Sequence, residues 1–228
     1  MGNYKESIAI IIPALDPDER MVSLVGQLHD DGFSNIILVD DGSLIANRKY
    51  FKTCKETCHC KIIRHVVNFG KGIALKSAFN YILEQRPDIK GAVTVDCDGQ
   101  HVLTDINTCA KLTYEHPDSL ILGCRQFDDK EIPLRSRFGN KLTRQMIRLL
   151  CGIHVSDTQT GLRGLPTPLI REHFANVKGE RFEYEMNMLI AAKEFQLKNF
   201  RFRQFIWQIM KARILIRSLI RFGFTKCF

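Results

Sequence analysis

The chain has 228 residues, 45% hydrophobic and 25% charged, with 15 Gly and 7 Pro, which suits one compact domain and excludes disordered, collagen-like and low-complexity classes. Its longest run without a charged side chain, Ser7 to Leu15, is nine residues, far below the roughly 18 to 20 apolar residues that span a bilayer. The net charge of +8 is local: residues 201–228 carry seven basic side chains and no acid, while residues 1–200 hold 26 basic against 25 acidic groups, so no nucleic-acid face is expected on the body of the chain.

The opening MGNYKES has no basic segment leading into an apolar core, and Ser7 falls one place too late for myristoylation, so no secretion or lipidation signal is expected. Of the eight cysteines, Cys54, Cys58 and Cys60 bunch beside His59 without the paired spacing of a structural zinc site. Cys97, Cys109, Cys124 and Cys151 fall in apolar or helical stretches. Reduced thiols packed as small hydrophobes, in a cytoplasmic protein, are the expectation.

Short apolar runs alternate with helical patterns along the chain. Strands are predicted at Ser7–Ile12, Asn35–Val39, Lys61–Val66, Gly91–Val95 and Ser119–Leu122, as near-continuous apolar runs suited to burial on both faces. Helices are predicted at Asp18–His29, Leu44–Thr57, Gly72–Gln85 and Asp105–Glu115, then at Asn140–Leu150 and about Arg181–Phe195. Repeated strand–helix–strand units imply an α/β fold, a mostly parallel central sheet flanked by helices on both faces. No linker, repeat or composition break is visible before residue 200.

In such a sheet, ligands sit beyond the carboxyl ends of the strands. The second strand ends in Asp40-Asp41-Gly42-Ser43 and the fourth in Asp96-Cys97-Asp98-Gly99-Gln100-His101. The third leads into Asn68-Phe69-Gly70-Lys71-Gly72, a lysine between glycines at a helix start, where backbone N–H groups can meet phosphate. Asp96 and Asp98, one residue apart at a turn, can share a hard cation such as Mg²⁺ or Mn²⁺, or can simply form a turn. Asp40 and Asp41 suit hydrogen bonds to a nucleotide, and equally suit capping of the next helix. Lys71 reads as a phosphate contact or as a solvated lysine, and His101 as a metal or phosphate contact or as a packed side chain. Arg125, Arg135, Arg137 and Arg163 are anion-binding candidates, with surface ion pairing as the alternative for each. Asp157 reads as a general base, a positioning carboxylate or a turn residue.

Taken together, VDDGS at 39–43, NFGKG at 68–72, DCDGQH at 96–101 and DTQTGLRG at 157–164 resemble, in order and spacing, the family 2 glycosyltransferases of the GT-A fold. Within them the chain is similar to the dolichol- or polyprenyl-phosphate hexosyltransferase branch, over about residues 5 to 200. The resemblance implies that Asp40 and Asp41 meet the nucleotide and that Asp96 and Asp98 hold Mn²⁺ or Mg²⁺ on the diphosphate, with Gln100 and His101 completing that loop. It implies that Arg125 lies near the phosphates, that Arg135 or Arg137 meets the acceptor phosphate, and that Asp157 and Arg163 close the acceptor side. The implied reaction is inverting transfer of a hexose from a UDP- or GDP-sugar to a polyprenyl phosphate, in a protein peripheral to the cytoplasmic membrane face or working with a membrane partner protein. A non-lipid glycan acceptor is the alternative.

Two features depart from the resemblance. Cys97 stands inside the Asp-x-Asp pair where the family more often has a small residue such as alanine. After Arg203 the family's acceptor-side strand, with its Tyr, Asn and Ser-His-Phe stretch, gives way to a basic apolar tail, so the chain divides into a transferase domain at 1–203 and a tail at 204–228. With Arg213, Arg217 and Arg221 spaced by four, that tail reads either as an amphipathic helix on an anionic membrane or as the product of a frameshift. On the second reading the chain binds a nucleotide sugar without transferring it.

Overall fold

The computed structural model describes residues 3–125, 157, 160–172, 174–195 and 201–207. The predicted helix at 140–150 lies outside them. After a single helical turn, α1 (Tyr4–Ser7), the seven residues of β1 (Ile8–Ala14) are all buried. Helix α2 (Glu19–Asp30) starts where the Asp18 carboxylate accepts from the Arg20 N–H at 2.9 Å. Its buried residues Met21, Leu24, Val25 and Leu28 follow the spacing of one helical face. Strand β2 (Ile36–Asp40) follows, and the predicted helix at 44–57 divides into a 3₁₀ turn at Ile45–Asn47 and α3 (Arg48–Cys58).

Next come β3 (Lys61–Arg64), α4 (Lys71–Gln85), β4 (Gly91–Thr94), α5 (Leu103–Glu115) and β5 (Ser119–Arg125). The second half supplies β6 (Arg163–Pro166), α6 (Thr167–Glu172), α7 (Glu183–Phe195) and β7 (Arg201–Trp207). β7 runs parallel to β5 from Ser119 opposite Arg201 to Arg125 opposite Trp207, so the strand continues four residues past Arg203.

The seven strands lie in the order β3-β2-β1-β4-β6-β5-β7. All pairings are parallel except those of β6, which runs antiparallel between β4 and β5. Alternate residues of β1 feed opposite cores. Ala9 and Ile11 pack with α4, α6 and α7, while Ile8, Ile10 and Ile12 pack with α2, α3 and α5. Strand β3 departs from the expectation of burial on both faces: Lys61 and Arg64 are exposed, because β3 is the edge of the sheet. Between β1 and β4 the strand order reverses, and a crevice opens beyond Ala14 and Thr94. None of the described helices is long and apolar enough to cross a membrane.

Candidate active site

That crevice holds a cavity of about 410 Å³, walled by Pro13 to Leu15 from the end of β1, Asp41 after β2, Asn68, Gly70 and Lys71 at the start of α4, Asp96 to Asp98 after β4, and Arg181, Phe182 and Glu185 at the start of α7. Lys71 is its electrostatic centre. The ammonium bonds Asp96 Oδ1 at 2.7 Å and pairs with Glu185 Oε2 at 3.0 Å. Burial disfavours its charge, yet the two facing carboxylates outweigh that and hold the lysine above its ordinary range. Burial likewise acts to raise Asp96, but Lys71 and His101 prevail and keep its carboxyl well below the usual range. His101 is itself buried, its Nε2 3.5 Å from Asp96 Oδ2.

Asp98 is in the opposite condition. Burial pushes its carboxyl up, the N–H of Gln100 bonding Oδ1 at 3.0 Å opposes this, and the charge of Asp96 adds to the rise. Two neighbouring carboxylates, one already short of solvation, form the hard-oxygen pair that a divalent cation relieves. The donor set therefore fits Mg²⁺ or Mn²⁺ held by Asp96 and Asp98 with ligand oxygens completing the shell. Among the described residues, no three His, Cys, Asp or Glu side chains converge to hold a metal by themselves. Between the pair, burial and both carboxylates push the Cys97 thiol up to about 12, so it carries no thiolate at neutral pH.

The acidic pair after β2 does two different things. Asp40 is fully buried outside the cavity wall, with Oδ1 accepting from the Ser43 N–H at 2.9 Å and Oδ2 paired with Arg64 at 2.8 Å. Asp41 reaches the cavity while organising the loop opposite: Oδ1 meets His65 Nδ1 at 2.7 Å and the Phe69 N–H at 3.0 Å, and Oδ2 accepts from the Gly70 N–H at 2.7 Å. Gly70, at φ +99°, and Gly72 have a packing reason. A Cβ on either would run into Glu180, and the Ile73 N–H donates to the Glu180 carbonyl at 3.0 Å.

Asp157 and Arg163 lie behind the cavity, both fully buried. The Arg163 guanidinium donates to the carbonyls of Thr160 at 2.9 Å and Glu185 at 2.5 Å. Burial pulls its pKa down against the pull of Glu185, Asp157 and Asp96. Thr160 in turn bonds the Gly123 carbonyl, and Thr94 Oγ1 donates to the Gly161 carbonyl at 2.8 Å, locking the 160–163 segment across β4 and β5. Gly161 packs so closely on the Asp96 carboxylate that no Cβ fits between them.

A family model for glycosyl transferase family 2 matches residues 10–174. The chain belongs to that family. It is 30% identical over 206 residues to a UDP-N-acetylglucosamine–dolichyl-phosphate N-acetylglucosaminyltransferase of Methanococcus voltae, covering 83% of this chain and 81% of that one. To a dolichyl-phosphate beta-glucosyltransferase of Homo sapiens it is 22% identical over 214 residues, covering 84% and 64%. Among solved structures, Mycobacterium tuberculosis glucosyl-3-phosphoglycerate synthase, in complex with Mn²⁺, UDP and phosphoglyceric acid, matches with a TM-score of 0.65 at 15% identity over 93% of this chain and 73% of that one. That likeness establishes the GT-A fold.

In this family 2 glycosyltransferase, Asp41, Lys71, Asp96 and Asp98 meet at one cavity, with His101 beside Asp96 and the Gln100 backbone fixing Asp98. Asp40, Asp157 and Arg163 stand one layer back. Arg125 ends β5 at the same sheet edge. Its side chain, like Arg135 and Arg137, lies outside the described residues. Sequence reasoning missed Glu185 and His65. The available signal for Glu185 was an acid beside the buried Tyr184, on a helix whose face also buries Met188 and Leu189.

Proposed function

We propose that this glycosyltransferase moves a hexose from a UDP- or GDP-sugar to a polyprenyl or dolichyl phosphate, with inversion and with Mn²⁺ or Mg²⁺. The reading rests on one observation above all: Lys71, Asp96 and Asp98 share a cavity at the switch point, in a chain 30% identical to a transferase named for dolichyl phosphate. Asp96 and Asp98 are the residues that would hold the ion, and when bound it neutralises charge on the departing nucleoside diphosphate. Lys71, fixed between two carboxylates, adds positive charge at the same wall. The acceptor phosphate is anionic at neutral pH, so transfer needs orientation of that oxygen behind the anomeric carbon more than removal of a proton. Asp157, buried next to Arg163, is then a positioning residue that acts through the 160–163 segment.

Incubation with sugar-labelled UDP- or GDP-hexose, Mn²⁺ and polyprenyl phosphate should move label into the organic phase, and Asp98→Ala should abolish it. Label confined to water-soluble product would replace the lipid acceptor with a soluble one. Undiminished lipid label in Asp98→Ala would remove the assigned role of that carboxylate.

A further inference from the structure

The loops that follow β1, β2 and β3 form one connected rim. Ser43 Oγ accepts from the Asp16 N–H at 2.9 Å, and Asp16 Oδ1 accepts from the Leu44 N–H at 2.8 Å and from Asn47 at 3.0 Å. Gly42 packs directly on the backbone of Val67 and Asn68. This hydrogen-bonded frame holds large apolar side chains out in solvent: Leu44 is 65% exposed, Ile45 82% and Val66 88%, with Leu15, Val67 and Phe69 about half exposed beside them. Across the cavity mouth, Phe182 is 77% exposed. Burying such side chains stabilises a protein, so their concentration around a charged cavity marks a surface for something apolar.

Directly beside the rim lies a basic groove lined by Arg48, Lys49, Lys52, Lys55 and Arg64. On α3 only Glu56 opposes this row, 3.7 Å from Lys52. Apolar tips next to a row of exposed cations complement one partner in particular, the anionic surface of a bilayer, where side chains enter the acyl boundary and lysines meet headgroups.

We infer that this rim and the α3 basic row seat the protein on an anionic lipid surface, with the cavity mouth turned toward the bilayer. None of the residues of this surface belongs to the basic segment at the end of the chain. It deepens the lipid-acceptor reading by giving the acceptor phosphate a short route to the cavity. Its test contains no acceptor and no sugar, so seating and transfer are read separately.

The full chain is sedimented with vesicles of phosphatidylcholine alone and of phosphatidylcholine mixed with phosphatidylglycerol. Binding should be strong only to the mixed vesicles and should fall with added salt. Lys49→Glu with Lys52→Glu should weaken it by roughly 30-fold or more, from the loss of two near-surface cations and the gain of two anions, and Ile45→Glu with Val66→Glu should also reduce it strongly. Both double variants should keep the parental unfolding transition, because all four positions are exposed. A local probe separates the rim from the rest of the chain: Ile45→Trp should gain fluorescence that brominated lipid quenches, above the background of Trp207. Equal binding of parent and both double variants, an unquenched Trp at position 45, or a dimer in sedimentation equilibrium that the Ile45→Glu/Val66→Glu variant dissociates would each overturn the assignment.

Discussion

Lys71 and Asp96 meet at 2.7 Å in the cavity wall, and Glu185 closes on the same ammonium at 3.0 Å from a helix more than a hundred residues away in sequence. The lysine is thereby tied to two walls of the cavity. Removing one member of a largely buried charged cluster leaves the others without their counter-charge, which costs more than the cluster contributes as a whole. Lys71→Met should therefore destabilise the fold by about 2 kcal/mol, read from urea unfolding, and Lys71→Met combined with Glu185→Gln should recover part of that loss. A double variant whose loss equals or exceeds the sum of the two single losses would show that the two residues do not share this interaction.

Asp40 and Asp41 divide their work between loop closure and the cavity. Asp41 accepts from His65, Phe69 and Gly70, so Asp41→Ala should cost about 2–3 kcal/mol through donors left without an acceptor. The same change should also weaken nucleotide binding, since Asp41 lines the cavity and its loop carries Gly70 and Lys71. Asp40→Asn should lower stability with a smaller effect on nucleotide affinity, because its carboxylate is enclosed between Ser43 and Arg64. Parallel calorimetry with UDP and GDP separates the two residues; equal losses of affinity would contradict the division.

Gly161 and Gly26 give opposite expectations for the same substitution. A methyl on Gly161 has no room against the Asp96 carboxylate, so Gly161→Ala should displace that carboxylate and abolish any Mn²⁺-dependent shift in melting temperature. Nothing lies within 4 Å of a Cβ on Gly26, inside α2, so Gly26→Ala should stabilise by about 0.5–1 kcal/mol through helix propensity. Thermal unfolding with and without Mn²⁺ and nucleotide measures both.

The sequence was most legible where burial is complete. β1, β2 and β4 are unbroken runs of buried residues, and the turns after β2 and β4 place acids at the expected sheet edge. β6 was not, because Arg163-Gly-Leu-Pro lacks the near-continuous apolar run by which the other strands were read. It is a strand only because backbone carbonyls satisfy the buried guanidinium and because Gly164 lets Thr113 pack against the chain. β7 was hidden for another reason: its pairing with β5 is long-range, and its basic, aromatic composition continues into the tail. Glu185 shows the same limit at the site. Its role depends on α7 meeting the start of α4, which no local spacing encodes.

Far from the cavity, Asp31 ties α2 to the start of the chain. It bonds Lys5 Nζ at 2.8 Å and Asn107 at 2.6 Å, and those two bonds hold its carboxyl below the ordinary value, against a smaller effect of burial. A folded-state pKa below the unfolded one adds stability that is complete above the unfolded value of about 3.9 and is lost as pH falls through the folded value. Acid titration of unfolding should therefore be shallower in Asp31→Asn than in the parent below about pH 4, and identical slopes would remove Asp31 from the acid response.

The donor side can be tested without any acceptor, because a ligand that binds only the native state raises stability by mass action, about 2.7 kcal/mol at a hundredfold excess over Kd. The cavity holds two carboxylates suited to a cation and one lysine already balanced by two acids, so a nucleoside diphosphate alone meets net negative charge there. UDP or GDP without metal should shift the melting temperature little, and Mn²⁺ with the preferred nucleotide should shift it strongly. The base that gives the larger shift identifies the donor class. Asp98→Ala should lose the metal-dependent part while keeping a cooperative transition. A shift of equal size with EDTA present would mean that Lys71 alone carries the diphosphate and that Asp96 and Asp98 serve only the turn after β4.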